Sequence, residues 1–366
     1  MKLAKLLFFL LCLSLTAHPA LALQGSGTPE DPYILKFANY YPDAGPIGHG
    51  IHANTVDFIE EQMGHRIKFE RYWAGSLHSL ADGFKALRSG LSDFAQAYPF
   101  NNTNAFYYTT ADGLPWLYKS VAHATAAAQE MYPKWYKKEF ERQGLYIGMM
   151  PYFDYQVLIT KKPVRTKEDL KGLKIMGHGV HMRATLKELG ATPVFVTPPE
   201  IFIALQRGVI DGVCWSAGCT VPWRYNEVAQ YCTTTGMAVC GIFFGLNKAS
   251  FDALPKDIQT DLYRVLQLAG NHMSELYTEL EKNGYDEMRS AGMEVITLSD
   301  EEMKRWTACG QKVWDDYAKT LSSKGLPAQE FLKDLRAVAY KFNAMSIPEL
   351  RKYTENNLVH GCIDGF

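Results

Sequence analysis

Residues 169–215 read DLKGLKIMGHGVHMRATLKELGATPVFVTPPEIFIALQRGVIDGVCW, with strand, helix, strand and helix patterns in close succession. The apolar run at 173–176 predicts a strand, and the Gly-His-Gly loop at 177–179 separates it from a helical spacing of apolar residues. A strand that ends in a glycine loop at a helix N-terminus presents free backbone N–H groups, which suit a polar or anionic ligand group. We therefore expect Met176, the last strand residue, to face a ligand site.

The same alternation of strand and helix patterns runs from Tyr33 to Ala97 and predicts an α/β fold with mixed, mostly parallel sheets. The chain has 366 residues, which is more than a single hydrophobic core usually holds, so two lobes are expected. Apolar segments at 155–160 and 239–246 are predicted to be strands that cross between the lobes. Two crossings imply a hinged pair.

A helical pattern begins at Pro255 and continues to about Ser290. A helix of that length measures roughly 50 Å at about 1.5 Å per residue, which is long enough to lie across both lobes. Gly284 interrupts the pattern and is expected to be a point where the helix can bend or break.

The N-terminus has the three parts of a secretory signal peptide. Met1 to Lys5 carries two lysines, residues 6–15 are apolar, and Ala20-Leu21-Ala22 is a small-x-small cleavage site. We therefore predict that residues 1–22 are a cleaved signal peptide and that the mature chain starts near Leu23 as a soluble periplasmic protein. The apolar run is shorter than the ~20 residues that span a bilayer, so a retained anchor is the minor alternative.

The net charge of −1 argues against nucleic acid or an acidic membrane surface as a partner. Aromatic residues make up 13% of the chain, a content that suits an aromatic-walled pocket as well as a core. No metal site is expected, because the cysteines form no Cys-x-x-Cys pair and no His-x3-His pattern accompanies them.

Six cysteines remain after removal of the signal peptide: Cys214, Cys219, Cys232, Cys240, Cys309 and Cys362. An even number in an oxidising compartment permits disulfides, although spacing alone does not give the pairing. We predict one bridge between Cys309 and Cys362 and a second within the group from Cys214 to Cys240.

Several segments together resemble one protein family, the extracytoplasmic solute-binding subunits of TRAP (tripartite ATP-independent periplasmic) transporters, the DctP-like group. The resemblance extends over nearly the whole mature chain and is most specific in EDLKGLKI, LGATPV and ALQRGVIDG. The segments are LKFANYYP (35–42), FERYWAGSL (69–77), LRSGLSDFAQA (87–97), PVRTKEDLKGLKI (163–175), LKELGATPVFVTPPEIFIALQRGVIDG (186–212) and LNKASFDALPKDIQ (246–259).

The resemblance implies a type II-like, two-lobed periplasmic-binding-protein fold with a long helix shared by both lobes. It also implies a binding protein that closes over a small organic solute and delivers it to a membrane permease driven by an ion gradient. We expect a monomer without a cofactor. The expected divisions are lobe I at 33–152 plus 243–285, lobe II at 153–242 plus 286–345, and a C-terminal docking tail at 346–366.

The chain departs from the family pattern at three expected ligand positions. The family typically has an arginine after the KGLKI strand, where its planar guanidinium pairs with a ligand carboxylate, but this chain has Met176. A second basic position corresponds to Tyr155, and a third, polar position falls near Trp215. All three changes favour an apolar, aromatic-lined pocket.

A methionine cannot neutralise a carboxylate, and an unpaired buried charge costs several kcal/mol, so a simple dicarboxylate is a poor candidate ligand. We instead predict an aromatic or largely apolar acid or amino acid. His178, Arg183 and Arg224 are candidate cations for its charged end. Tyr40, Trp73 and Phe243 are further candidate wall residues, and strand alternation predicts that at most one of Tyr40 and Tyr41 faces the site.

Two other functions remain open at this point. An enzyme is not favoured, because the chain has no nucleophile elbow, dinucleotide loop, P-loop or His-Glu-x-x-His helix. A periplasmic sensor or partner-delivery protein on the same fold would bind the same ligands without a transporter. Neighbouring genes would separate it from the transport reading: permease genes favour transport, and a histidine kinase gene favours a sensor.

Overall fold

A computed structural model of the chain describes residues 24–99, 104–197 and 200–363, without the side chains of residues 154–156. The predicted signal peptide, residues 1–22, lies outside the described residues, as do the last three residues of the predicted docking tail. Within the described part, no helix has both the length and the apolar character that crossing a membrane requires.

The described strands form two sheets. In chain order they are β1 (Tyr33–Ala38), β2 (Ile67–Tyr72), β3 (Phe94–Gln96), β4 (Leu145–Met149), β5 (Tyr152–Thr160), β6 (Lys174–Met176), β7 (Thr192–Val194), β8 (Gly212–Trp215), β9 (Tyr231–Gly241), β10 (Phe244–Asn247) and β11 (Glu294–Thr297).

The described helices surround these sheets. They are α1 (Gly45–Ile47), α2 (Asn54–Gln62), α3 (Gly83–Ser89), α4 (Val121–Met131), α5 (Lys137–Glu141), α6 (Val180–Glu188), α7 (Ile201–Gln206), α8 (Ala217–Thr220), α9 (Lys248–Ala253), α10 (Lys256–Ser290), α11 (Asp300–Ser323), α12 (Ala328–Asn343) and α13 (Ile347–Asn356). Wider or tighter helical turns lie at Gly48–Ala53, Leu80–Asp82, Thr109–Gly113, Tyr132–Tyr136, Lys167–Leu170 and Tyr225–Glu227.

The first sheet has the strand order β2-β1-β3-β10-β4. β1 is parallel to β2 and β3, whereas β10 is antiparallel to both of its neighbours. The alternation of β1 buries Leu35 and Phe37, and the Phe37 ring packs against Phe69, Phe94 and Phe244. These aromatic contacts fill the face of the sheet beneath the helices.

The second sheet has the order β11-β9-β5-β8-β6-β7. β5 of this sheet directly follows β4 of the first sheet in the chain. β9 directly precedes β10, which belongs to the first sheet. The two strands pair antiparallel from Tyr152 opposite Gly241 to Thr160 opposite Tyr231, with a register shift between Tyr155 and Val157. The chain therefore crosses between the sheets at two adjacent strands of one ladder and a third time along α10, which leads from β10 to β11; the predicted two-lobed α/β fold with mixed sheets is confirmed.

The predicted long helix is confirmed as α10, which runs for 35 residues. It packs against α2 and α4 beside the first sheet and against α8, β5 and β11 of the second. Gly284 does not break it. A Cβ on Gly284 would lie 2.5 Å from the Ala217 oxygen and from the Gly218 Cα, so this glycine brings the backbone of α10 against α8.

The segment after Ser346 lies against α10. Ser346 caps α13 through a capping box with Glu349. Further along, the side-chain amide of Gln267 makes two hydrogen bonds to the backbone of Val359: Val359 N donates to Oε1 at 2.8 Å, and Nε2 donates to the Val359 oxygen at 2.8 Å. The tail has no strand or helix partner at Val359, so these two bonds satisfy its backbone N–H and C=O groups.

The predicted disulfides are not formed among the described cysteines. Cys309 lies on α11, where Lys167 Nζ donates to its sulfur at 3.0 Å. Cys362 is buried in the tail, where its thiol donates to the Val359 oxygen at 3.4 Å and burial raises its pKa to about 12. The structure likewise records no bridge among Cys214, Cys219, Cys232 and Cys240. The described part of the chain therefore supports neither predicted bridge, because an even cysteine count does not determine which thiols lie within bonding distance.

We expect Gly284→Ala to destabilise the protein by about 1–3 kcal/mol, because the added methyl group forces α10 and α8 apart. Gly50→Ala is the matched control, since a Cβ there would meet only the Gly45 oxygen at 3.8 Å. Urea denaturation of both variants measures the difference. Equal stability of the two variants would contradict the close approach.

Candidate functional site

A cavity of about 980 Å³, partly open to solvent, lies between the two sheets. We call it the aromatic cavity, because most of its walls are rings. It is lined by Tyr40, Tyr41, Leu80, Ala81, Tyr98, Phe153, His178, Phe195, Thr197, Trp215, Trp223, Cys240 and Ile242. The carboxyl ends of β1, β7 and β8 contribute to it, which is where open α/β sheets place ligands.

One wall consists of three tyrosines. The rings of Tyr40 and Tyr41 lie 4.1 Å apart, and Tyr98 meets Tyr40 edge-on at 6.4 Å. Burial raises the pKa of all three phenols, so they are protonated at neutral pH. The expectation that only one of Tyr40 and Tyr41 faces the site was wrong, because β1 ends at Ala38 and its alternation ends there too.

A buried hydrogen-bond network holds this wall. Tyr41 N donates to Asn39 Oδ1 at 2.9 Å, and the Asn39 amide lies 2.6 Å from His52 Nδ1. His52 Nε2 lies 2.7 Å from the hydroxyl of Tyr277 on α10. Burial lowers the pKa of His52 to about 3, so the ring is neutral; with the amide donating to Nδ1, the ring proton sits on Nε2. The network thus ties the end of β1 to the long helix.

Trp215 forms the opposite wall at the end of β8 and is 4% exposed. Its ring contacts His178 at 5.5 Å, Trp223 at 5.7 Å and Phe153 at 6.0 Å. Because neighbouring rings hold the Trp215 side chain on several sides, it loses little conformational entropy when a flat ligand stacks on it. This favours stacking.

Among the described wall residues of the aromatic cavity there is no aspartate, glutamate, lysine or arginine. His178 is the titratable base in the wall, and burial together with the nearby charge of Arg183 lowers its pKa to about 4. At pH 7 the described walls therefore carry no net charge, and they can stack, pack and hydrogen-bond but cannot pair with an ion.

A second cavity of about 520 Å³, the side cavity, adjoins the first and shares His178 and Cys240 with it. Its other walls are Pro99, Thr109, Thr110, Asp112, Gly113, Gly179, Val180, His181, Met182, Ala238, Val239, Gly241 and Phe243. It lies between the turn at Thr109–Gly113 and the first turn of α6.

Asp112 is a buried acid beside the side cavity. The hydroxyls of Tyr118 and Tyr136 donate to its Oδ1 at 3.2 and 2.9 Å, and Tyr152 donates to Oδ2. Burial raises the pKa of Asp112 to about 7, against the opposing effect of these three hydrogen bonds. Tyr152 is the first residue of β5, so the cluster sits where the chain crosses between the sheets.

Of the nine predicted site residues, Tyr40, His178 and Trp215 line the aromatic cavity, and His178 and Phe243 line the side cavity. Arg183 stands beside them, with Nη1 3.5 Å from the Gly177 oxygen. Tyr155 pairs with Ala238 in β5, and its side chain lies outside the described part of the chain.

The other three predicted residues lie away from the cavities. Trp73 packs edge-on against Phe37 at 5.5 Å, and Met176 is fully buried in the core. Arg224 has a left-handed backbone with φ 62° and pairs with Glu227 through two hydrogen bonds of 2.7 and 2.8 Å. This ion pair holds the Arg224 guanidinium at the surface, because Glu227 lies only three residues further along the chain.

The sequence interpretation missed Tyr41, Tyr98, Phe153, Phe195, Trp223 and His181. Tyr98 follows β3 and Phe195 follows β7, so the rule that sites lie at strand ends would have selected them. His181 is the second residue of α6, next to the glycine loop that was predicted to face a ligand.

Among the described residues, no cluster of three or more His, Cys, Asp and Glu side chains could hold a metal ion. His49 and Asp93 have separate partners: His49 pairs with Asp43 at 2.8 Å, while Asp93 accepts from Lys36 N and the Ser250 hydroxyl.

Comparison with known proteins identifies one family. The profile of the DctP family, described as "Bacterial extracellular solute-binding protein, family 7", matches residues 37–320. The chain is also similar to the 2,3-diketo-L-gulonate-binding periplasmic protein YiaO of Escherichia coli (strain K12). The two are 28% identical over 274 residues, which cover 72% of this chain and 80% of YiaO.

Two solved structures share the fold. A TRAP solute-binding protein from Rhodoferax ferrireducens T118, in complex with copurified benzoate, superposes with a TM-score of 0.77 at 22% identity, covering 85% of this chain and 98% of that one. A marine metagenome TRAP solute-binding protein, specific for aromatic acid ligands and in complex with 3-hydroxybenzoate, gives a TM-score of 0.78 at 21% identity, covering 85% and 99%.

We expect the stability of the Asp112→Asn variant relative to the natural protein to rise between about pH 4 and pH 7. The folded pKa of Asp112, about 7, lies above the usual value of 3.8, so the stability linked to its proton is present below pH 3.8 and lost as pH rises through 7. Asparagine has no such proton. Melting curves from pH 4.5 to pH 8 measure the difference, and a difference that does not vary with pH would contradict the raised pKa.

Proposed function

Because the chain belongs to the bacterial extracellular solute-binding proteins of family 7, we propose that it captures a small organic solute between its lobes and hands it to a TRAP membrane permease. Family membership supports the extracytoplasmic, non-enzymatic role. We further propose that residues 1–22 are removed on export and that the mature protein acts in the periplasm as a monomer.

The ligand is an aromatic or otherwise largely apolar acid or amino acid. The observation that carries this proposal is the aromatic cavity, whose described walls are rings and aliphatic groups without a permanent charge. Ring stacking contributes about 0.5–1.5 kcal/mol per pair beyond the burial of area. A dicarboxylate would instead bring two charges into walls that offer no ion pair, which costs several kcal/mol for each ion.

Of the three candidate cations for the ligand's charged end, Arg183 is the one that fits. Arg224 is held by Glu227 at the surface, and His178 is neutral at pH 7 because its pKa is about 4. Arg183 is half-buried, and its charge acts on His178, which places positive potential at that end of the cavities.

The lobes are proposed to close around the ligand, with divisions at 33–152 plus 243–285 for lobe I and 153–242 plus 286–345 for lobe II. A ligand drives closure only through contacts with both lobes. Tyr40, Tyr41 and Tyr98 on one side and Trp215 and His178 on the other provide such contacts.

We expect benzoate and 3-phenylpropanoate to raise the melting temperature of the purified protein, while succinate does not. A ligand that binds only the folded state stabilises it by about 2.7 kcal/mol at a concentration 100 times its Kd. A thermal-shift assay with all three acids measures this. A large shift with succinate and none with either aromatic acid would overturn the proposed ligand class.

Trp215→Ala is expected to weaken binding of an aromatic acid by roughly 10- to 100-fold, since it removes a buried ring from the wall. Trp73→Ala is the matched control: it also removes a tryptophan at a strand end, but one that packs on Phe37 outside the cavities. Isothermal titration calorimetry compares the two Kd values. A larger loss for Trp73→Ala would mean that the wrong tryptophan has been placed in the site.

A further inference from the structure

We propose that the side cavity binds the acidic end of the solute whose ring occupies the aromatic cavity, and that the ligand is therefore an arylalkanoic acid with a flexible spacer. The inference rests on the proposed function and goes beyond it by naming a second subsite. We call that subsite the acid subsite; it consists of the first turn of α6, from Val180 to Met182, and the His181 imidazole.

The two cavities are neighbours that one molecule can occupy together. His178 and Cys240 line both, so the side cavity opens beside the wall of rings. If the ligand's carboxylate is bonded directly to its ring, the carboxylate remains in the aromatic cavity, whose described walls carry no net charge. A spacer of two or three carbons takes the carboxylate past His178 toward α6.

The first turn of α6 has free backbone donors. Its first backbone bond runs from Arg183 N to the Gly179 oxygen at 3.4 Å, so the three preceding N–H groups have no partner within the helix. No side chain caps this end, and no acidic residue lies in the first turn. The N-terminal end of a helix carries partial positive charge and favours an anion.

His181 provides an independent second feature. Its Nε2 is buried and has no hydrogen-bond partner among the described residues, although the residue lines the side cavity. A buried polar atom without a partner costs about 1–3 kcal/mol, which a bound acceptor would remove. Burial lowers the pKa of His181 to about 4, so the ring is neutral at pH 7 and donates through Nε2 when its proton is there.

The remaining titratable groups of the side cavity are compatible with an acid. The oxygens of Asp112 already accept from three tyrosines, and burial raises the pKa of Asp112 to about 7. A second carboxylate nearby favours the protonated form of Asp112 further. Arg183, one residue beyond the subsite, adds positive charge at the same end.

The test uses three probes that share a phenyl ring: benzoate, 3-phenylpropanoate and 3-phenylpropanol. Calorimetry on the purified protein is expected to rank 3-phenylpropanoate at least about tenfold tighter than either of the others, because only it places a charged acceptor at the acid subsite. Equal affinities for benzoate and 3-phenylpropanoate would overturn the inference.

His181→Phe keeps a ring against Tyr317, which His181 meets edge-on at 5.1 Å, and removes the nitrogen. It is expected to weaken 3-phenylpropanoate about tenfold and leave 3-phenylpropanol unchanged. His272→Phe is the matched control, because His272 also packs against a ring, Phe58 at 4.6 Å, but outside both cavities. Should His181→Phe not fold, the probe series on the natural protein still decides.

The binding experiments distinguish an incorrect acid subsite from an incorrect proposed function. If aromatic acids bind but neither spacer length nor His181 matters, the acid subsite is wrong and the aromatic cavity stands. If Arg183→Met weakens benzoate and 3-phenylpropanoate alike while His181→Phe changes neither, Arg183 holds the acid by itself, so the acid subsite is wrong while the proposed function stands. If none of the three probes binds while succinate does, the proposed function falls as well.

Discussion

The contact between α10 and α8 constrains the whole molecule, because one helix has to fit two sheets at once. One half of α10 packs on α2 and α4, and the other half reaches α8 and the second sheet. Gly284 and Gly218 permit that second contact: a Cβ on Gly218 would meet Leu280 at 2.5 Å. Since the helix is shared, the spacing of the lobes along it is set by packing, and their freedom lies in the strands that cross.

Burial favours the uncharged form of the titratable side chains in and around the site. Burial lowers the pKa of His52, His178 and His181 and raises the pKa of the wall tyrosines, so these groups are neutral at pH 7; burial also raises the pKa of Asp112 to about 7, so that its carboxyl is only partly ionised there. A site built from neutral groups in a low-dielectric space selects against charge by the cost of desolvation. Specificity then depends on ring shape and on where a single acid can find donors.

The sequence predicted the two-lobed α/β fold and the long helix, because these follow from periodicity along single segments. The directions in which side chains point were harder to predict from the sequence. Tyr40 and Tyr41 lie in a turn where strand alternation no longer holds, and Arg224 is turned outward by its left-handed backbone and Glu227. Met176 itself points into the core, so its absence from the site could not be read from its position on the strand.

The cavity walls come from segments that are distant in sequence, such as Tyr98, Phe153 and Phe195, and only the packed sheets bring them together. Periodicity within a segment does not contain that information. Cysteine number was equally uninformative, since Cys309 is partly exposed on α11 and Cys362 is buried in the tail. The resemblance to a family directed attention to the segment at 169–215, and packing determines which rings line the aromatic cavity.

Two of the three connections between the lobes lie next to each other as β5 and β9, joined by backbone hydrogen bonds along one ladder, and α10 is the third. A joint made of two bonded strands resists shear and lateral translation, but it can twist and bend about its own axis. Relative motion of the lobes therefore has to bend all three connections, and the register shift between Tyr155 and Val157 is a place where the ladder of β5 and β9 is interrupted.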